Sequence, residues 1–177
     1  MEAVTETVKE NPMRTIRLAK VTVHIAVGKS GEMLEKARKV LEDLTGQKPC
    51  TRQAKRTVKE FGIREGEPVA CLTTLRGERA NEFLKRGLEA ASNTLKESSF
   101  DENGNFAFGV KEHIEIPGTK YQPELGIFGM DIIGTLERPG YRVKRRRIRP
   151  SRIGKSHRVS REDAVKFVSD KFGVQVK

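Results

Sequence analysis

The chain has 177 residues, of which 36% are hydrophobic and 33% charged, with a formal net charge of +11. That length suits one domain able to bury on the order of 70% of its unfolded surface. No apolar run approaches the ~20 residues that cross a bilayer, and the polar opening MEAVTETVKENP is unlike a secretory leader, so neither a membrane role nor export is expected. Cys50, Cys71 and three scattered histidines make neither a disulfide framework nor a metal-ligand spacing. Reduced thiols, a cytoplasmic setting, and no metal or cofactor are the expectation.

Asn11-Pro12 reads as an N-cap and first-turn proline opening a short helix to about Leu18. KVTVHIAVG then alternates. Val21, Val23, Ile25 and Val27 face one way, and Lys20, Thr22, His24 and Ala26 the other, which predicts a half-buried strand with a polar second face. Next comes Gly28-Lys29-Ser30-Gly31, placed between strand and helix as a phosphate-binding loop is. A nucleotide loop needs GxxxxGK[ST], and here the first glycine would fall at Val23. A second triplet, Gly154-Lys155-Ser156, has Arg149 at that position. A P-loop enzyme is therefore not expected. The stretch is read as a tight connection, with Gly28 and Gly31 at φ > 0 and Ser30 as N-cap. Met33, Ala37, Val40, Leu41 and Leu44 follow at helical spacing, with Gly46 as the stop.

From about Cys50 to Leu75, two strand-like runs flank FGIREGEP. Pairing them about that turn sets Cys71 opposite residues near Thr57, away from Cys50. VACLTTLRG is apolar on both faces at its start, which predicts a central strand. ERANEFLKRGLEAASNTLKES puts Ala80, Phe83, Leu84, Leu88, Ala91 and Leu95 on one helical stripe, and Gly87 within it points to close packing. DENGN is a turn, after which NFAFGVKEHIEIPG and LGIFGMDIIGTLER read as strands. Glu112, His113 and Glu115 lack a nucleophile or paired carboxylate, so they read as a solvated strand face, not a catalytic set. Ser160 with Asp163 resembles a capping box for a helix carrying Ala164, Val165, Phe167 and Val168, ended by Gly173. The sum is α+β over residues 1–177 as one domain: a mainly antiparallel sheet with helices on one face and the other face available to a ligand.

The charge is unevenly placed. RPGYRVKRRRIRPSRIGKSHR, from Arg138 to Arg158, holds ten Lys/Arg and no Asp/Glu; removing these from the 35 leaves 25 basic against 24 acidic residues. Pro150 and Gly154 interrupt any continuous helix there, so a looped or extended basic arm is expected at about 138–158. A second acid-free run, GQKPCTRQAKRTVK, holds Lys48, Arg52, Lys55, Arg56 and Lys59. Cations this dense in an otherwise balanced chain point to a polyanion, above all nucleic acid. Tyr141 and Phe61 are isolated aromatics among them, which argues against single-strand stacking as the main mode.

Four ordered blocks, KVTVHIAVGKSG, TGQKPCTRQAKRTVKEFGIREGEPVACLTTLRGER, FDENGNFAFGVKEHIEIPG and GMDI, make the chain resemble the 5S-rRNA-binding L-five family of large-ribosomal-subunit proteins. The arginine-rich segment, absent from the shorter bacterial type, points to its archaeal or eukaryote-like form. The resemblance implies a non-enzymatic ribosomal protein of the central protuberance whose sheet lies on 5S rRNA. It also implies contacts with large-subunit rRNA, peptidyl-site tRNA, neighbouring ribosomal proteins and a small-subunit head protein. The family's RNA contacts fall here on His24, Gln47, Phe61, Thr74, Met130 and Asp131, and its tRNA-facing loop on Lys55, Arg56 and Thr57. Many members carry Asn-Met-Gly where this chain has His24-Ile25-Ala26.

The residue chemistry agrees on its own terms. Lys20, Thr22 and His24 share a polar strand face, and neutral side chains such as Thr, Gln and His read sugar hydroxyls and base edges. Lys20, Lys29, Arg76, Arg142, Lys144, Arg145, Arg146, Arg147 and Arg149 are the cations expected at phosphate. Asp131 would accept from a base amino group or ribose hydroxyl, or hold a nearby arginine. Met130 is open between base contact and core packing, and Phe61 between stacking and core. A double-stranded-DNA architectural protein is the rival reading, favoured by charge and opposed by the sheet-face pattern.

Overall fold

The computed structural model describes residues 11–177; the opening MEAVTETVKE, read above as unlike a leader, lies outside them. In chain order the elements are β1 (Arg17–Ala26), α1 (Glu32–Thr45), β2 (Cys50–Gln53), β3 (Pro68–Leu75), α2 (Glu78–Ala90), β4 (Thr94–Leu95), β5 (Asn105–Val110), β6 (Met130–Glu137), α3 (Arg142–Arg145), α4 (Arg161–Phe172) and β7 (Gln175–Val176). Five strands form an antiparallel sheet in the order β2-β3-β1-β6-β5, while β4 and β7 make a small parallel pair. β3 is interior, as its two-faced apolar start requires.

The alternation of β1 decides the layering. Val21, Val23 and Ile25 are at most 1% exposed, and α1 and α2 cover them. α1 buries Leu34, Ala37, Val40, Leu41 and Leu44; α2 buries Ala80, Phe83, Leu84 and Leu88. Both helices lie on one face of the sheet and leave the other to solvent. A Cβ added at Gly87 would stand 2.6 Å from Ile132 Cδ1, so α2 packs closely on β6 there and a larger residue would require the Ile132 side chain to shift. The expected capping box on α4 is present, with Ser160 accepting from the Asp163 amide, and Gly173 ends that helix in the left-handed conformation.

Several expectations are corrected. Asn11 does cap a turn, accepting from the Met13 amide at 3.0 Å, but the helix is a single 3-10 turn, Pro12–Arg14. The chain then extends, because Arg17 and Leu18 pair with Glu137 and Leu136 of β6. Ser30 does not cap α1: its hydroxyl donates to Glu67, and Gly31, at φ 103°, occupies the cap position. The α1 stripe therefore runs through Leu34, while Met33 is 52% exposed. α2 stops at Ala90, since Ser92 and Asn93 adopt left-handed φ; Ala91 only caps the helix and Leu95 is buried from β4 instead. His113 and Glu115 sit on a 3-10 turn, not a strand. His113 is 3% exposed, its Nδ1 accepts from the Phe128 amide at 3.3 Å, and burial lowers its pKa.

The β2–β3 register also differs from expectation. Cys71 lies opposite Thr51, and Cys50 opposite Leu72. The connecting loop pairs on itself through Val58 and Ile63, so the hairpin turns earlier in the chain than FGIREGEP alone suggests. Cys50 and Cys71 are thus close in register but on opposite faces of the sheet, because side chains alternate. Both are free; Cys50 is exposed, while burial pushes the Cys71 thiol up to about 11.

Candidate nucleic-acid interface

The face of the sheet turned away from the helices is built in rows set by the register. One row reads Cys50, Leu72, His24, Asp131, Gly109 across β2, β3, β1, β6 and β5. The next reads Thr74, Thr22, Ile133, Ala107, and a third Lys20, Thr135, Asn105. These side chains are half-buried or exposed, and most are neutral: hydroxyls, an imidazole, an amide and aliphatic groups. The strands thus present a flat array suited to ribose and base edges, with few charges inside it. Lys20, Thr22, His24, Thr74 and Asp131, five of the residues singled out from sequence, converge here. Asp131 holds no arginine. Its Oδ2 lies 3.7 Å from His24 Nδ1, an ion pair when the imidazole is protonated, and Gly109 beside it leaves the carboxylate open.

Met130 does not join them. It is 3% exposed on the inner face of β6, because its neighbour Asp131 points outward and alternation turns Met130 into the core. Gln47 is half-buried in the α1–β2 connection, off the array, with its backbone held by the Thr45 hydroxyl at 3.4 Å. Phe61 settles on the exposed side: it is 71% exposed on a 3-10 turn at the end of the β2–β3 loop, closed by Gly62 in the left-handed conformation.

Cations gather at the two ends of the array. Beyond Ala26 and Ala70 lie the exposed Lys29 and the self-paired loop 54–67 with exposed Lys55, Arg56 and Thr57. The Thr57 hydroxyl is committed, accepting from the Glu65 amide at 3.0 Å. The N-terminus of α1 is less open to phosphate than its glycines suggest. Glu32 and Glu35 fill its first turn, and Glu67, held below the usual carboxylate range chiefly by the Ser30 hydroxyl, stands beside it. Lys29 is exposed there beside them.

At the opposite end stand Arg76, Lys20 and the basic arm. The arm is a tied loop, not a free tail. Glu137, 7% exposed, takes Arg17 at 3.0 Å and Arg145 at 2.8 Å, and so fixes the one-turn α3 to the ends of β1 and β6. Arg138 pairs with Asp163 at 2.9 Å, the Tyr141 hydroxyl accepts from the Val159 amide at 3.0 Å, and a His157 ring nitrogen lies 2.8 Å from the Pro139 carbonyl. Val159 is fully buried over Gly104, where any Cβ would meet it at 2.6 Å. Arg145 therefore anchors the arm. Arg142, Lys144, Arg146, Arg147 and Arg149 remain exposed, with no carboxylate partner among the described residues. Between arm and sheet runs a groove of about 700 Å³, lined by Lys20, Asn105, Thr135, Lys144, Arg152 and Arg158 among others. The mostly neutral array and the basic groove share Lys20, Asn105 and Thr135, an arrangement able to hold a polynucleotide by its phosphates while meeting its sugars and bases.

Residues 11–64 match the family model described as ribosomal protein L5, and residues 68–167 match the model of the C-terminus of that ribosomal family. The chain belongs to the ribosomal protein L5 family. Relatives described as large ribosomal subunit protein uL5 include those of Aeropyrum pernix, 54% identical over 94% of this chain and 87% of the relative, and Sulfurisphaera tokodaii, 54% identical over 97% of each. That of Methanosphaera stadtmanae is 44% identical over 94% of this chain and 99% of the relative. These sources are archaeal, in line with the arginine-rich segment. As an L5 family member the chain is a ribosomal structural protein and not an enzyme. Among the described residues no His/Cys/Asp/Glu cluster could hold a metal and no helix is long and apolar enough to cross a membrane.

The boundary between the two family segments falls inside the β2–β3 loop, yet the sheet interleaves strands from both: β1 and β2 from the first, β3, β5 and β6 from the second. Leu72, Ile133, Thr135 and Asn105 were not singled out from sequence. Alternation with Thr74 and Asp131 signals Leu72, Ile133 and Thr135. Their adjacency to Thr22 and Lys20 depends on register, which no short stretch specifies.

Proposed function

We propose that this ribosomal protein binds 5S rRNA of the large subunit through the open face of its sheet, with the described chain acting as one RNA-binding unit. The basic arm lies against phosphates of 5S or neighbouring large-subunit rRNA. The loop carrying Lys55, Arg56, Thr57 and Phe61 reaches out for the elbow of peptidyl-site tRNA and a small-subunit head protein, in the cytoplasm. The observation that carries this reading is the mostly neutral, register-built array of Thr22, Thr74, His24, Asp131 and Thr135 bounded at both ends by cations. Threonine hydroxyls there accept or donate to ribose 2′-OH groups, and Asp131 accepts from a hydroxyl or base amino group.

Thr74→Ala and Asp131→Ala test it by titration against 5S rRNA, with random duplex DNA as competitor. Each lost hydrogen bond weakens 5S rRNA binding by roughly 0.5–3 kcal/mol, the upper end applying to the carboxylate. Both side chains lie on the solvent face, so circular dichroism stays unchanged. Wild-type affinity in both variants, or duplex DNA competing as well as 5S rRNA, would sink the assignment.

A further inference from the structure

Ile148 is 77% exposed, more than any other large hydrophobic side chain among the described residues. It stands in the arm between Arg147 and Arg149, with Lys144, Arg145 and Arg146 just before it. The backbone that presents it is built. Arg146 Nε donates to the Arg149 carbonyl at 2.7 Å and closes the turn, and the Ser151 amide donates to the Val143 carbonyl at 3.2 Å where the chain returns. Arg149 takes φ +50°, uncommon for a long side chain, and it does so immediately before Pro150, which narrows its options further. A strained residue of this kind persists where surrounding bonds impose it, and such residues gather at functional sites.

An aliphatic group held out in water gains when it is covered. The charges beside it specify what covers it, since the exposed arginines and lysine on either side of it in the chain, Lys144, Arg146, Arg147 and Arg149, favour a polyanion. The apolar surface a nucleic acid offers is the face of a base. In a paired helix those faces are stacked out of reach; in a bulge or loop one is open. Apolar side chains wedged at unstacked steps are the known counterpart in duplex DNA.

Resting on the RNA-binding reading above, we propose that Ile148 is an apolar contact to an unpaired, unstacked base of ribosomal RNA, with the flanking cations on the neighbouring phosphates. The arm then discriminates irregular from fully paired RNA and does more than neutralise charge.

The test uses the full chain and two hairpin RNAs of equal length, one fully paired and one with a single-nucleotide bulge carrying 2-aminopurine. The wild type binds the bulged hairpin about five- to tenfold more tightly, the gain from covering one side of an exposed aliphatic side chain and leaving the rest in water, and the 2-aminopurine emission changes on binding. Ile148→Ser abolishes the preference and the emission change but leaves the salt dependence intact, and Ile148→Leu restores both. Because Ile148 packs so little, these variants fold. Equal wild-type affinity for the two hairpins, or a preference that survives Ile148→Ser, overturns the proposal alone. Absence of any salt-dependent binding to either hairpin overturns the RNA-binding reading with it. Loss of association with ribosomal proteins in Ile148→Ser, at unchanged RNA binding, reassigns the side chain to a protein contact.

Discussion

Replacing Lys144, Arg146, Arg147 and Arg149 together with glutamine tests the role of the arm most directly. The structure dictates the choice. Arg138 and Arg145 are bound to Asp163 and Glu137, so their removal would disturb the loop itself. The four chosen residues are exposed and have no carboxylate partner among the described residues. If each neutralises one phosphate, the slope of log affinity against log salt becomes shallower by about 3, at roughly 0.7–0.9 per phosphate. Between about 50 and 200 mM salt the wild type then loses about 60-fold more affinity than the variant. Filter binding or anisotropy across that range measures it, with 5S rRNA and an unrelated hairpin in parallel. The slope change is the same for both RNAs, because phosphates carry no sequence. As a control, Arg145→Gln lowers the thermal midpoint, since it strips one of two partners from the buried Glu137, while changing the slope by at most about 1. An unchanged slope in the fourfold variant refutes phosphate contact by the arm. A loss confined to 5S rRNA shows instead that the arm reads its target.

Two further outcomes concern the scaffold. Gly134→Ala destabilises by about 1–3 kcal/mol through overpacking, because the added Cβ would lie 2.3–2.8 Å from three atoms of the fully buried Phe106 ring. Relief of glycine's backbone entropy alone would stabilise a strand, so an unchanged or raised urea midpoint refutes the contact. Stability also falls as pH drops from about 7 to 5, and His113→Gln flattens that dependence. Burial holds the folded imidazole below its ordinary value of 6.5, so the unfolded chain binds more protons on acidification. The stabilisation is full above 6.5 and is lost as pH falls towards the lowered folded value. Glu32, Glu67 and Asp101 are themselves held below their ordinary carboxylate values, so they act only at lower pH. Parallel urea-midpoint curves for wild type and His113→Gln between about pH 7 and 5 would remove His113 from this account.

What was legible in the amino-acid order is whatever depends on local periodicity and backbone chemistry. The alternation of β1 placed Thr22 and His24 on a polar face, the stripes of α1 and α2 placed the helices on the other, and Ser160 with Asp163 marked the start of α4. The ten-cation segment was plain from composition, as was its inability to form one continuous helix past Pro150. Tertiary structure decided what depends on partners distant in the chain. Pairing with Glu137 drew Arg17 into β1 and ended the helix expected there. The two-residue pleat of β6 sent Met130 inward and Asp131 outward, although as neighbours in one motif they look alike. Register set Thr135 and Asn105 beside Lys20, and a single buried carboxylate gave Arg145 the part of anchoring the arm. Periodicity says which residues share a face. Long-range pairing alone says which of them meet, because its free energy comes from contacts that no local window contains.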